Sequence, residues 1–122
     1  GEGMNEQSRW DDLLVEERKI EHELDEMLQV QRDTQRIEEN YQELFFQGNQ
    51  LMDRLDHFIG EDRDEIEELQ WQSKQKQQGI LYHLEDQKEQ LHKEQRKIED
   101  RQDELFYEKK RVLADKEDSD EY

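Results

Sequence analysis

The chain is 122 residues long, 44% charged and 30% hydrophobic, with 36 acidic residues against 18 basic ones and a formal net charge of -18. So low an apolar content cannot fill a deep globular core, and so acidic a balance disfavours nucleic acid and anionic membrane surfaces, which both demand a cationic face. The absence of cysteine removes any disulfide framework or thiolate metal site, and the absence of proline leaves nothing that forbids long helices.

Low hydrophobicity with high charge overlaps the disordered class. The identity of the polar residues points the other way, because Glu, Gln, Lys and Arg, with Leu, are good helix formers. Long amphipathic helix is the expectation. No apolar run approaches the roughly 18 residues that span a bilayer, and no signal-peptide core precedes the first charges, so no direct membrane insertion is expected. Gly1-Glu2-Gly3 before Met4 reads as a cloning remnant and is set aside; a single domain is expected over 4–117.

The first helix is expected over about 5–59. Its apolar residues recur in steps of three and four: Ile20, Leu24, Met27, Val30, Thr34, Ile37, Tyr41, Leu44, Gly48, Leu51, Leu55, Phe58. Two successive threes, Leu24 to Met27 to Val30, predict a stammer that overwinds the coil locally. Gly48, like Gly79 in the second half, is read as tolerated inside a helix at about 1 kcal/mol relative to alanine.

The stretch "DHFIGEDRDE", Asp56 to Glu65, is the expected turn near 59–62. Gly60 supplies the left-handed conformation that ends a helix, and Phe58 belongs to the same turn. Asp62 and Glu65 stand in capping-box spacing, and the acids that follow crowd a helix N-terminus, where negative charge is favoured.

The second helix is expected over about 62–115, with residues 118–122 as an acidic tail that frays. It carries a strict heptad, Leu84, Leu91, Ile98, Leu105 and Val112, whose companion seam positions are read as Gln87, Glu94, Arg101 and Glu108. One apolar residue per heptad is half of what a stable seam uses. Folding back at residues 60 to 61 pairs the apolar positions: Leu55 with Ile66, Met52 with Leu69, Tyr41 with Ile80, Ile37 with Leu84, Val30 with Leu91, Leu24 with Ile98, and Trp10 with Val112. The expected fold is therefore all-α, an antiparallel helical hairpin of two long coiled-coil-like helices, each arm on the order of 80 Å.

Several apolar residues lie beside the seam and cannot all face into it. Leu44, Phe45 and Phe46, Leu81 and Tyr82, and Phe106 and Tyr107 widen the stripe beyond what one helix covers, so they are the expected partner-binding residues. Association would supply burial that an isolated two-helix hairpin lacks. The four histidines show no metal-ligand spacing, "DRDEIEE" lacks the glycine of a calcium loop, and there is no phosphate cradle or nucleophile elbow. No catalytic, cofactor-binding or metal residue is expected, and the chain reads as a non-enzyme.

Two equal helices joined by Phe58-Ile59-Gly60, an aromatic-x-Gly turn, resemble the WXG-type hairpins of the Esx group. The long acidic Gln/Glu-rich arms look closer to the LXG-associated α-helical (Lap-type) proteins of type VII secretion in Gram-positive bacteria. That resemblance covers Met4 to about Glu117. It implies a chaperone or targeting factor that binds the helical N-terminal domain of an LXG-type toxin, with a second small helical partner, acting in the cytoplasm with its own co-export alongside the client as the variant. The aromatic and acid four apart at Phe58/Asp62 and Tyr82/Asp86 fall outside the place where secreted relatives carry their export signal, and Phe106 and Tyr107 are followed by Lys110 and Arg111. The resemblance thus implies the subunit that binds the toxin without presenting that signal. The reading from another class is a homo-oligomeric coiled-coil spacer or adaptor, beginning from a homodimer of the isolated chain; a straight rod in that class would reach about 170 Å.

Overall fold

The computed structural model describes residues 2–57 and 62–120, with side chains over 6–57 and 62–118. The chain is all-α, and no strand occurs among the described residues: α1 spans Glu2–Leu55 and α2 spans Arg63–Asp120, packed together as a helical hairpin. Long runs of helix-forming residues without proline make both possible, and the glycines at 48 and 79 sit inside helix as expected.

α1 ends at Leu55, short of the expected 59, because its last turn tightens. The Asp56 N–H donates to the Met52 carbonyl at 3.2 Å, and the His57 N–H reaches the Arg54 carbonyl, only three residues back, at 3.3 Å. Phe58 and Gly60, expected turn residues, lie outside the described residues with Ile59 and Glu61. Asp62 stands at the N-cap position of α2, its carbonyl accepting the Ile66 N–H at 3.0 Å, and Asp64 and Glu65 fill the first turn. Among the described residues the carboxylates of Asp62 and Glu65 close no reciprocal capping pair. Other side chains tie the turn instead. Arg63 Nη1 donates to the Asp56 carbonyl at 3.2 Å, and Gln70 Nε2 donates to the Met52 carbonyl at 3.1 Å and to Asp56 Oδ1 at 2.7 Å. The Arg63 bond satisfies the Asp56 carbonyl, which the end of α1 leaves open, and Gln70 adds a second donor to the Met52 carbonyl. At the other end α2 continues to Asp120, so the tail expected to fray from residue 118 is helical that far; Ala114, Lys116 and Glu117 favour helix and no glycine or proline stops it.

The chain divides into two compact units. One comprises Gly1–Gln29 with Leu91–Tyr122, the other Val30–Gln90. In the first, Leu13, Ile20 and Met27 of α1 are buried with Ile98, Leu105 and Val112 of α2, and Trp10, Leu24 and Leu91 pack against them. Each helix contributes at seven-residue steps, the spacing that keeps a seam facing its partner. Ile20 and Val112 are only 2% exposed.

The second unit has no fully buried side chain among its described residues. Its half-buried positions on α1 are Gln31, Thr34, Glu38, Tyr41, Phe45, Gly48, Met52 and Leu55. On α2 they are Ile66, Gln70, Ser73, Gln77, Ile80, Leu84 and Lys88. Polar residues thus take inward positions, and a methyl group added at Gly48 would meet nothing within 4 Å.

Two expectations about the seam are corrected. No stammer occurs in α1: from Leu13 to Leu55 the inward positions alternate steps of four and three without a break, and Gln31 rather than Val30 turns inward. In α2 the phase shifts once, through two successive fours at Ile80, Leu84 and Lys88, which is a stutter. The companions of the α2 leucines are accordingly Lys88, Gln95, Gln102 and Lys109, four residues after each apolar position, with Arg101 also half-buried; Gln87, Glu94 and Glu108 are exposed.

Truncating Ile20 to Ala is expected to destabilise by about 3 kcal/mol, from lost burial plus a residual cavity. Val15 to Ala, at a half-exposed site, should cost under about 0.5 kcal/mol. Thermal unfolding followed by circular dichroism separates the two.

Candidate partner-binding surfaces

Heptad geometry sorts the residues beside the seam into two flanks, because residues seven apart share an angle and residues two apart point to opposite sides. In the Val30–Gln90 unit one flank is closed by polar bridges. Asn49 and Gln77 exchange side-chain hydrogen bonds at 3.0 and 3.4 Å, and seven residues on, Asp56 accepts from Gln70. Asn49, Met52, Asp53, Asp56, Gln70, Ser73 and Lys74 line an open groove of about 250 Å³ on this side. Phe46 lies on the same flank of α1, further from the seam, and Leu81, seven residues after Lys74, lies on the same flank of α2.

The opposite flank of α1 carries Val30, Ile37, Leu44 and Leu51, all roughly half exposed. Sequence periodicity places these four in the seam; the structure puts Gln31, Glu38, Phe45 and Met52 there instead. At the same heptad position, Glu16 and Glu23 of α1 carry carboxylates.

The seven expected partner residues separate accordingly. Leu44 belongs to the aliphatic row and Phe46, two residues away, to the other side. Phe45 sits between them, half-buried, its ring 5.8 Å from that of Tyr41. Leu81 is at the exposed margin, and Tyr82 is 73% exposed with its ring against His83. Phe106 and Tyr107 lie in the other unit. Both are more than half exposed, meet edge to face at 5.7 Å, and the Phe106 ring carries the Lys110 ammonium at 4.6 Å. Phe106 also borders an open groove of about 210 Å³ with Glu17, Ile20, Glu21, Gln102, Leu105 and Lys109.

Cross-helix ion pairs were not legible in the apolar pattern, although one signal was present: bases on α2 and acids on α1 recur at seam-related spacings. Within the terminal unit Arg101 reaches Glu23 at 2.6 Å and Glu16 at 3.5 Å, two acids seven residues apart. Lys109 pairs with Glu17 at 2.5 Å and lies 5.3 Å from the Trp10 ring centre. Within the turn unit Lys88 pairs with Glu38, and with Glu85 at 3.3 Å. A hydrogen bond from Lys88 to Glu38 holds its ammonium above the ordinary 10.5, against a lowering from partial burial, with Glu85 adding to the rise. Arg101 is likewise raised, first by its bond to Glu23.

Among the described residues no three His, Cys, Asp or Glu side chains converge to hold a metal ion, and no helix is long and apolar enough to cross a membrane. Residues 8–112 match a family model described as "Protein of unknown function (DUF3958)". No curated protein and no solved structure matches the chain.

The raised ammonium of Lys88 sets a pH dependence. A cation whose folded pKa exceeds its unfolded value adds stability below the unfolded 10.5 and loses it as pH rises through the higher folded value. Melting temperature should therefore fall above pH 10.5, and Lys88→Met should flatten that fall. A thermal series from pH 9 to 12 measures both slopes; equal slopes would contradict the assignment.

Proposed function

The chain belongs to that family, and we propose that it is a non-enzymatic binding module, a targeting factor or chaperone that binds the helical N-terminal domain of an LXG-type toxin and supports its type VII secretion. The observation that carries this reading is the pairing of large exposed aromatics, Phe46, Tyr82, Phe106 and Tyr107, with a turn-proximal unit that has no fully buried side chain of its own. Rings of this size bury 150–250 Å² each when covered, and an amphipathic helix laid across Phe46 and Tyr82 in the one unit, or across Phe106 and Tyr107 in the other, supplies that cover.

Electrostatics fits the same role. A net charge of -18 keeps the chain soluble with apolar flanks uncovered and extends that property to a client held against it. The resemblance of the acidic Gln/Glu-rich arms to Lap-type proteins supplies the client's class, a second small helical partner, and a place of action in the cytoplasm with co-export as the variant. Phe45 and Leu81 extend the aromatic surface, since both stand at the edge of the seam beside Phe46 and Tyr82 respectively.

Phe45→Ser combined with Phe46→Ser should abolish co-purification with the N-terminal domain of an LXG-type toxin while the far-ultraviolet dichroism of the free protein stays near wild type. Because Phe45 is half-buried, Phe46→Ser with Tyr82→Ser serves as the second variant, with both changes at exposed sites. Undiminished capture by both variants would overturn the assignment.

A further inference from the structure

The client surface leaves one row unused. Val30, Ile37, Leu44 and Leu51 follow one another at seven-residue steps along about 31 Å of α1, each roughly half exposed, on the flank opposite Phe46. Single exposed aliphatics are ordinary, but four at one heptad position form one of the two apolar rows of a coiled-coil seam, with no helix packed on it. We infer that this row docks a second copy of the chain, α1 against α1 in antiparallel orientation about a two-fold axis at the level of Asn40 and Tyr41.

Three observations select that occupant. The row is evenly spaced, so a two-fold axis at its midpoint sets Val30 of one copy against Leu51 of the other and Ile37 against Leu44. An isologous contact needs this self-complementarity. The charges beside the row complement one another in the same sense. Arg36 and Glu43 stand one residue before Ile37 and Leu44, on the solvent side of the row, and the axis brings Arg36 of each copy to the level of Glu43 of the other. A parallel pairing would set Arg36 beside Arg36 and Glu43 beside Glu43, which costs energy. Finally, repulsion along this stretch of α1 is modest. Although the whole chain carries -18, Asn40 and Gln47 border the row without charge, Arg32 and Arg36 offset neighbouring acids, and the carboxylate of Glu38 is turned to Lys88.

The contact is small beside the roughly 800 Å² per partner of a standard interface, so the dimer is reversible. Salt should tighten it, because screening relieves the repulsion between two acidic chains while the apolar row is untouched.

Sedimentation equilibrium of the full chain should show a monomer–dimer equilibrium that strengthens with salt. Ile37→Glu with Leu51→Glu should weaken it by about 100-fold or more, since between them these two residues enter every apolar pair of the row. The chain has no cysteine, so thiols introduced singly report the orientation. Asp33→Cys mixed with Gln47→Cys should oxidise to a covalent heterodimer, while Gln47→Cys alone stays uncrosslinked. A monomer at every concentration, a dimer indifferent to Ile37→Glu and Leu51→Glu, or self-crosslinking of Gln47→Cys would each overturn the inference. Client capture through Phe46 and Tyr82 is read in a separate pull-down, so a failed dimer and a failed client reading remain distinguishable.

Discussion

A helix shows the same angle every seventh residue once it is wound into a coil, and the heptad phase of α1 is the constraint on which the rest depends. Leu13, Ile20 and Met27 hold one phase by being buried, and the inward positions continue it to Leu55 without a break. Continuing it has consequences further along the helix. Gln31, Thr34, Glu38 and Gly48 take inward positions, while Val30, Ile37, Leu44 and Leu51 are left outside. A stammer would have turned those aliphatics inward at the expense of overwinding the helix. Phe45 and Met52, large residues already in phase, favour the unbroken coil.

The two units solve the shortage of apolar residues differently. In the terminal unit six buried aliphatic side chains form a small dry cluster, and charge is kept at its edge, where Arg101 spans Glu16 and Glu23. In the turn unit the seam mixes polar residues with apolar ones. Amide bridges between Asn49 and Gln77, Gln70 at the end of α1, and the Lys88–Glu38 pair replace hydrophobic contacts. Half-exposed hydrogen bonds and ion pairs add little net stability, on the order of 1 kcal/mol each. The unit is therefore held in register by polar groups that specify pairing more than they stabilise it, and Val30, Ile37, Leu44 and Leu51 remain exposed.

The sequence made the hairpin legible because composition, helix formers and the residues around Asp62 all point to two helices with one reversal. The α2 heptad from Leu84 to Val112 was legible for the same reason: one strong apolar residue per seven admits only one phase. The α1 phase was not. Val30, Ile37, Leu44 and Leu51 form as good a periodic series as the true inward row, and apolarity alone prefers them over Gln31 and Glu38. The phase continued from the buried Leu13, Ile20 and Met27 turns Glu38 inward, where Lys88 of the other helix compensates it, and single-helix periodicity contains no such cross-helix term. The same blindness displaced the α2 companions by one residue, to Gln87, Glu94 and Glu108 in place of Lys88, Gln95 and Lys109. Exposure at Phe46, Tyr82, Phe106 and Tyr107 was readable, because neighbouring large residues cannot share one face of a helix; that Leu44 and Phe46 lie on opposite flanks follows only once the phase is known.

A scaffold with one self-sufficient unit and one incompletely buried unit suits a protein that holds other helices. The terminal unit carries the buried cluster, and on the proposed role the turn unit would gain order from the helix that covers it, coupling binding to local stability. Amide hydrogen exchange of the free protein, resolved by residue, tests this division most directly. Residues 31–55 and 66–90 should exchange well ahead of 13–27 and 98–112, and the first pair of segments should slow when a helical partner binds. Uniform protection along both helices in the free protein would contradict the division.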